Sequence, residues 1–184
     1  MSDEVIEKHK PVDTPDFWKT RIKEAIDVGS LRHAVYRVPE SMWLEVTDHH
    51  KMILAENIDP DSMVLDAGCG YGRASEFIDV NPEVGGGYMG VDISPDFIQF
   101  AGQLYPDKDF MVGDLTDLPF KDKTFDYAVC ISVMIMVVQN LGWSKWEQIQ
   151  NELLRVSRNI ICLEYGTADT DTESNTYYVI KSSG

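Results

Sequence analysis

Apolar positions recur along this chain at two different periods, and the change falls near residue 63. Before it the spacing is helical. Thr14-Pro15 reads as an N-cap followed by proline at the first helical position, and that helix is expected to run to about Val28 and stop at Gly29. A second helix is expected from about Pro39 to Glu56, where Trp43, Val46, Ile53 and Leu54 form one stripe that also carries His50. From residue 63 short apolar runs take over. MVLDAG, YMGVDI (Tyr88 to Ile93), DFMVGD (Asp109 to Asp114), FDYAVCI (Phe125 to Ile131), NIICLEY (Asn159 to Tyr165) and TYYVIK read as strands.

Helical stretches separate these strands. Tyr71 to Val80 reads as one. Ser94-Pro95 caps another that reaches about Leu104, and the capping box S-x-x-E at Ser144 to Glu147 opens a third, carrying Trp146, Ile149, Leu153 and Leu154. Strands alternating with helices predict an α/β fold, a mostly parallel sheet with helices on both faces. FDYAVCI is apolar almost throughout, as a strand buried on both faces should be. In such sheets ligands sit beyond the carboxyl ends of the strands.

Composition narrows the partners. The 184 residues suffice for one domain, and 43% of them are apolar. Acidic side chains number 31 against 16 basic ones, a net charge of -15. Such a surface repels phosphate backbones, so nucleic acid is a poor expected partner. The opening MSDEVIEKHK has no apolar core of a signal peptide, and the run Ala128 to Val138 is too short for a membrane span and broken by Ser132. Cys69, Cys130 and Cys162 match no metal motif, and two lie in strand-like runs. The expectation is a cytoplasmic protein without a metal. Residues 1–13 are expected to be disordered, 14–57 to be helical, and 58–184 to form the ligand-binding domain.

The chemistry gathers at VLDAGCGYGR, Val64 to Arg73. Glycines after a buried strand let a ligand approach the backbone. The dinucleotide pattern G-x-G-x-x-G fails, because Arg73 stands where its third glycine belongs, and no G-K-[S/T] follows. The pattern present is D-x-G-x-G-x-G: Asp66, Gly68, Gly70, Gly72. A carboxylate at Asp66 opposes a pyrophosphate and favours an ammonium group. Asp92 closes the second strand, where an acidic side chain can take ribose hydroxyls. Asp114 closes the third and can accept from an exocyclic amine, with Leu115 and Ile93 flanking a planar base. The ligand so described has a cationic amino-acid end, a ribose and an adenine, and no phosphate.

From Met63 to Tyr165 this constellation resembles the class I S-adenosylmethionine-dependent methyltransferases. VLDAGCGYGR is similar to their first motif, GVDIS to their acidic second-strand motif, and GDLTDLPFKDKTFDYAV to their third- and fourth-strand segment. The resemblance implies a three-layer Rossmann-like fold with N-terminal lid helices, and S-adenosylmethionine as cofactor. Gly68 and Gly70 would pass its methionine and ribose portion. Asp66 would face its amino group, Asp92 its ribose, and Ile93 the adenine face. Asp114 would meet the adenine amine, the Leu115 backbone the ring edge, and Ile131 the methionyl group. Residues 58–184 would then be the S-adenosylmethionine-binding methyltransferase domain.

The catalytic residue stays unknown at this level. The amino-directed nucleic-acid methylases of this family carry [D/N/S]-P-P-[Y/F] after strand four, and this chain reads CISVMIMVV there. The expected acceptor is therefore a small molecule or a protein side chain, and the alternative is a non-catalytic cofactor-binding subunit. Met134, Ile135 and Met136 line an acceptor pocket or belong to the core. Tyr36 or Arg37 could close over the methionine carboxylate, and His33, His49 or His50 could act as a base or be solvated or core residues. Common members have seven strands, whereas only 20 residues follow Glu164, and VSRN replaces their Pro-Gly-Gly turn. The sheet is thus expected to be abbreviated at its C-terminal edge, and an uncovered edge makes a homodimer an expectation.

Overall fold

Residue 63 is where the chain leaves its first helices and enters the sheet. The computed structural model describes residues 15–30, 32–35, 40–165 and 175–181. The expected disordered N-terminus, the Thr14 cap, Tyr36, Arg37 and the acidic stretch TADTDTES lie outside the described residues, as does the side chain of His33.

Helix α1 spans Pro15–Asp27, a single turn α2 spans Arg32–Val35, and α3 spans Glu40–Asn57. The strands are β1 (Met63–Ala67), β2 (Gly87–Asp92), β3 (Asp109–Val112), β4 (Phe125–Ile131), β5 (Ser157–Tyr165) and β6 (Asn175–Lys181). They form one sheet in the order β3-β2-β1-β4-β5-β6. The first five are parallel, and β6 runs antiparallel to β5, with Thr176 opposite Glu164. The order reverses between β1 and β4, which puts the switch-point crevice at their carboxyl ends.

Side chains alternate across β1 and divide the core. Leu65 and Ala67 join Ala128, Cys130, Ile160 and Cys162 on one face, beneath Trp146, Ile149 and Leu153 of α6 (Trp143–Val156). Val64 joins Val129, Ile161 and Leu163 on the other, against Ile53 and Leu54 of α3. A third cluster unites Ile22 and Ala25 of α1 with Tyr71 and with Phe97 of α4 (Pro95–Leu104). Full burial of a ring such as Phe97 is worth about 1.5–3 kcal/mol. The N-terminal helices therefore share their core with the glycine turn.

Two helical expectations need correction, and one helix lies where none is expected. Tyr71 to Val80 is not a helix: only Arg73–Glu76 makes a 3-10 turn, with a second at Pro82–Val84. Gly72 at φ 82 starts that turn, and Pro82 with Gly85 and Gly86 ends the segment before a longer helix can close. The capping box at Ser144 does not form, because α6 already begins at Trp143 with Gly142 before it and no side-chain cap. The apolar run after β4 holds a helix of its own, α5 (Val133–Leu141). By contrast, Ser94 caps α4 as expected, its Oγ accepting from the Phe97 N–H at 3.3 Å.

Candidate active site

The glycine turn is tied to the second strand by its own backbone. The N–H groups of Gly68 and Cys69 donate to the Val91 carbonyl at 2.8 and 3.0 Å. Gly68, Gly70 and Gly72 take φ values of 77, 56 and 82°, the left-handed region that glycine enters without a Cβ clash. They differ in what surrounds them. A Cβ on Gly72 would lie 2.8 Å from the Phe110 ring, so this glycine serves packing. A Cβ on Gly68 would lie 2.6 Å from Cγ2 of Val133, the first residue of α5. At Gly70 the nearest atom is Cγ1 of Val35 in α2, at 3.5 Å.

Asp92 fastens the turn from the side. Its Oδ2 accepts from the Gly70 N–H and its Oδ1 from the Ser94 N–H, both at 2.9 Å. Burial pushes this carboxyl up to about 6, against the opposing pull of those backbone hydrogen bonds. Asp66 is buried beside it. Burial raises it to about 7, although the Tyr88 hydroxyl donates to its Oδ2 at 2.7 Å and the Arg73 charge also favours ionisation. Arg73 reaches back to α3, where its guanidinium lies 4.4 Å from the Trp43 ring centroid and donates to Thr47 Oγ1 at 3.0 Å.

The other expected residues are placed differently. Gly113 donates to the Asp92 carbonyl at 3.0 Å, which brings Asp114 to the mouth beside Asp92. Asp114 is exposed, and its Oδ1 accepts from both the N–H and the hydroxyl of Thr116. Its slight burial raises it, but those hydrogen bonds outweigh this and hold the carboxyl below its ordinary value. Leu115 packs toward the α6 face of the core and Ile131 toward the α3 face, while Ile93 is half-buried. Asp66, Gly70 and Asp92 are thus buried together at the strand ends, with Gly68 half-buried beside them and Asp114 exposed. The loop that carries Leu115 is pinned by Arg155, which donates to the carbonyls of Leu118 and Phe120 and to Glu152.

His50 is buried with no hydrogen-bond partner on Nδ1. Burial first, and then the Arg73 charge, lower its pKa to about 3, so it is a neutral core residue at physiological pH. Among the described residues no group of three or more His, Cys, Asp or Glu is placed to hold a metal ion. No helix among them is long and apolar enough to cross a membrane.

Sequence reasoning passed over two residues at the ends of β4 and β5. Ser132 has φ 57°, an uncommon conformation for a residue with a Cβ, and it turns the chain from β4 into α5. Glu164 is buried at the end of β5, and its oxygens accept from the N–H groups of Met134 and Ile135 at 3.0 and 3.3 Å. Burial lifts it to about 7. An acidic residue closing an otherwise apolar strand was the only sequence signal for it.

A turn of left-handed glycines beside buried carboxyls at the strand ends fits a ligand with hydroxyl and amine donors. This is the arrangement of a class I Rossmann-like methyltransferase. The sequence profile of the methyltransferase domain family matches residues 65–159, and the chain belongs to that S-adenosylmethionine-dependent family. Among curated relatives, it is 36% identical over 73 residues to the tRNA (carboxymethyluridine(34)-5-O)-methyltransferase of Saccharomyces cerevisiae, 40% of this chain and 24% of that one. It is 39% identical over 74 residues to the demethylmenaquinone methyltransferase of Renibacterium salmoninarum, 40% of this chain and 29% of that one. The chain thus spans about a quarter of the length of these relatives. Among solved structures, it aligns with the complex of the Haloferax volcanii Trm112 methyltransferase activator with a methyltransferase. The TM-score is 0.54 at 22% identity, over 85% of this chain and 61% of that one.

Proposed function

We propose that this chain transfers a methyl group from S-adenosylmethionine to a small molecule with an apolar body. The observation that carries the cofactor half is the Asp92 carboxyl, which accepts from the Gly70 and Ser94 N–H groups at the end of β2 beside the glycine turn. In this reading Asp92 accepts from the ribose hydroxyls, and Gly68 and Gly70 give the methionine portion its passage. Asp66 lies behind them as the acidic counterpart of the ammonium group. Asp114 and Leu115 meet the adenine edge, Ile93 its face, and Ile131 borders the methionyl end. In the same reading helices α1 to α3 cover the cleft, and Val35 of α2 stands 3.5 Å from where a Cβ on Gly70 would lie.

Bound S-adenosylmethionine supplies a methyl group already activated on a sulfonium. The protein's part is to align the acceptor with it and to exclude water. A general base is needed only for an acceptor that arrives protonated.

The acceptor half rests on α5. Its residues Val133 to Val138 are only half-buried, and no charged side chain stands between Ser132 and Trp143. An apolar wall at the carboxyl end of β4 favours an apolar acceptor, and the net charge of -15 disfavours a bare RNA. The names of two relatives, the tRNA enzyme and the 18S rRNA (guanine(1575)-N(7))-methyltransferase of Saccharomyces cerevisiae, favour a second reading, in which a partner chain supplies the basic surface for RNA.

Transfer of labelled methyl from S-adenosylmethionine separates the readings. Label in an organic extract supports the small-molecule acceptor. Label in RNA, only when an activator subunit is added, supports the second reading. Cofactor binding with no transfer to either leaves the non-catalytic subunit.

A further inference from the structure

Glu164 joins three elements that meet at the cleft. It is the penultimate residue of β5, its two oxygens accept the Met134 and Ile135 N–H groups in the first turn of α5, and Val133 of that turn faces Gly68. Helix α5 has no side-chain cap of its own, because Ser132 stands there in the left-handed region without a capping hydrogen bond. A helix start leaves its first N–H groups without intrahelical partners. Here a carboxyl from a neighbouring strand receives two of them, a charge-assisted arrangement that the helix dipole favours.

We propose that Glu164 is a positioning residue: its carboxylate clamps the first turn of α5 and so holds Val133 against Gly68 as the wall of the cofactor cleft. The proposal rests on the S-adenosylmethionine reading of that cleft. Losing the charge leaves the two N–H groups without a strong acceptor, and the wall drifts from the glycine turn. Burial places Glu164 at about 7, so the clamp is set above neutral pH and slack in mild acid. Among the described residues, helix α5 has no titratable side chain and β4 brings the Cys130 thiol, while the register of β6 places Thr176 opposite Glu164.

The test compares the full chain with Glu164→Gln, which keeps shape and volume but cannot ionise. S-adenosylhomocysteine affinity is measured by calorimetry at pH 8.5 and at pH 5.5. The expected result is an affinity roughly tenfold weaker in the variant at pH 8.5 and equal in the two proteins at pH 5.5, where the native carboxyl is protonated as well. Asp66 and Asp92 titrate in both proteins and cancel in the ratio. A ratio of one at pH 8.5, or the same loss at both pH values, would overturn the clamp, since a packing defect has no such pH dependence. A second measurement uses hydrogen exchange of the Met134 and Ile135 amides without ligand. Protection lower in Glu164→Gln than in the native chain at pH 8.5 supports the clamp, and equal protection overturns it. If Glu164→Gln does not fold, the native amide shifts of Met134 and Ile135 must themselves titrate near pH 7, and their failure to move overturns the clamp. If the native chain binds no S-adenosylhomocysteine at either pH, it is the reading of the cleft that fails, and the exchange measurement still decides the clamp.

Discussion

The Tyr88 hydroxyl donates to Oδ2 of Asp66 at 2.7 Å, and both side chains are buried. The bond joins neighbouring strands β1 and β2 just beneath the glycine turn. It favours the ionised carboxylate, whereas burial favours the neutral acid and raises the group to about 7. Burial and the Asp66 charge together push the Tyr88 phenol well above its ordinary value, so it remains a donor. Tyr88→Phe should therefore destabilise the protein more when Asp66 is charged. A hydrogen bond to a charged group contributes about 1.5–3 kcal/mol and a neutral one about 1 kcal/mol. Urea unfolding at pH 8 and pH 5 checks this, and an equal loss at both would contradict it.

The buried carboxyls set the pH dependence of the ligand-free protein. A carboxyl whose pKa is raised on folding contributes stability that is complete below its unfolded value and is lost as pH rises through the folded one. Asp66 and Glu164 at about 7, and Asp92 at about 6, are such groups. His50, lowered from 6.5 to about 3, acts in the opposite sense, but its contribution is largely complete above 6.5. Between about pH 6.5 and pH 8 the three carboxyls outweigh the small remaining rise from His50. The melting temperature should fall across that interval, and Glu164→Gln should flatten the fall. A rise would refute the assignment.

Two glycines of the turn separate conformation from contact. Alanine at either must adopt a left-handed φ, a cost of about 1–2 kcal/mol. At Gly70 little else stands in the way, since the nearest atom is 3.5 Å from a Cβ. At Gly68 the Cβ meets Val133 at 2.6 Å and α5 must move. Gly68→Ala should thus lose more stability than Gly70→Ala and loosen the first turn of α5, readable in amide exchange. Equal losses would mean that Val133 yields without cost.

The sheet was legible in the sequence because its strands are short, apolar and separated by turns, and all six fall where the period predicts them. Asp92 was legible for the same reason, since it closes a recognisable strand. The segment after the glycine turn misled, because Ala74, Phe77, Ile78 and Val80 mimic a helical stripe while packing beneath α3 from little more than one turn. Helix α5 was hidden because Val133 to Val138 continue the apolar run of β4, and only the left-handed Ser132 marks the break. Glu164 shows in the sequence only as an acidic residue late in an apolar strand, because its meaning depends on amides some thirty residues away.

In the proposed reading, S-adenosylmethionine enters the cleft between β1, β2 and β4 and is held by Asp92. Asparagine there keeps the shape but exchanges an acceptor for a donor at a carboxyl that two backbone N–H groups already use. Calorimetric titration of the full chain with S-adenosylhomocysteine, native and Asp92→Asn, tests it most directly. The account predicts one binding event per native chain and an affinity at least about a hundredfold weaker in the variant, with far-UV circular dichroism unchanged; roughly 3 kcal/mol is the scale of a charged hydrogen-bonding group lost from a buried site. Equal affinity in the two proteins, or binding of NAD and none of S-adenosylhomocysteine by the native chain, would contradict it.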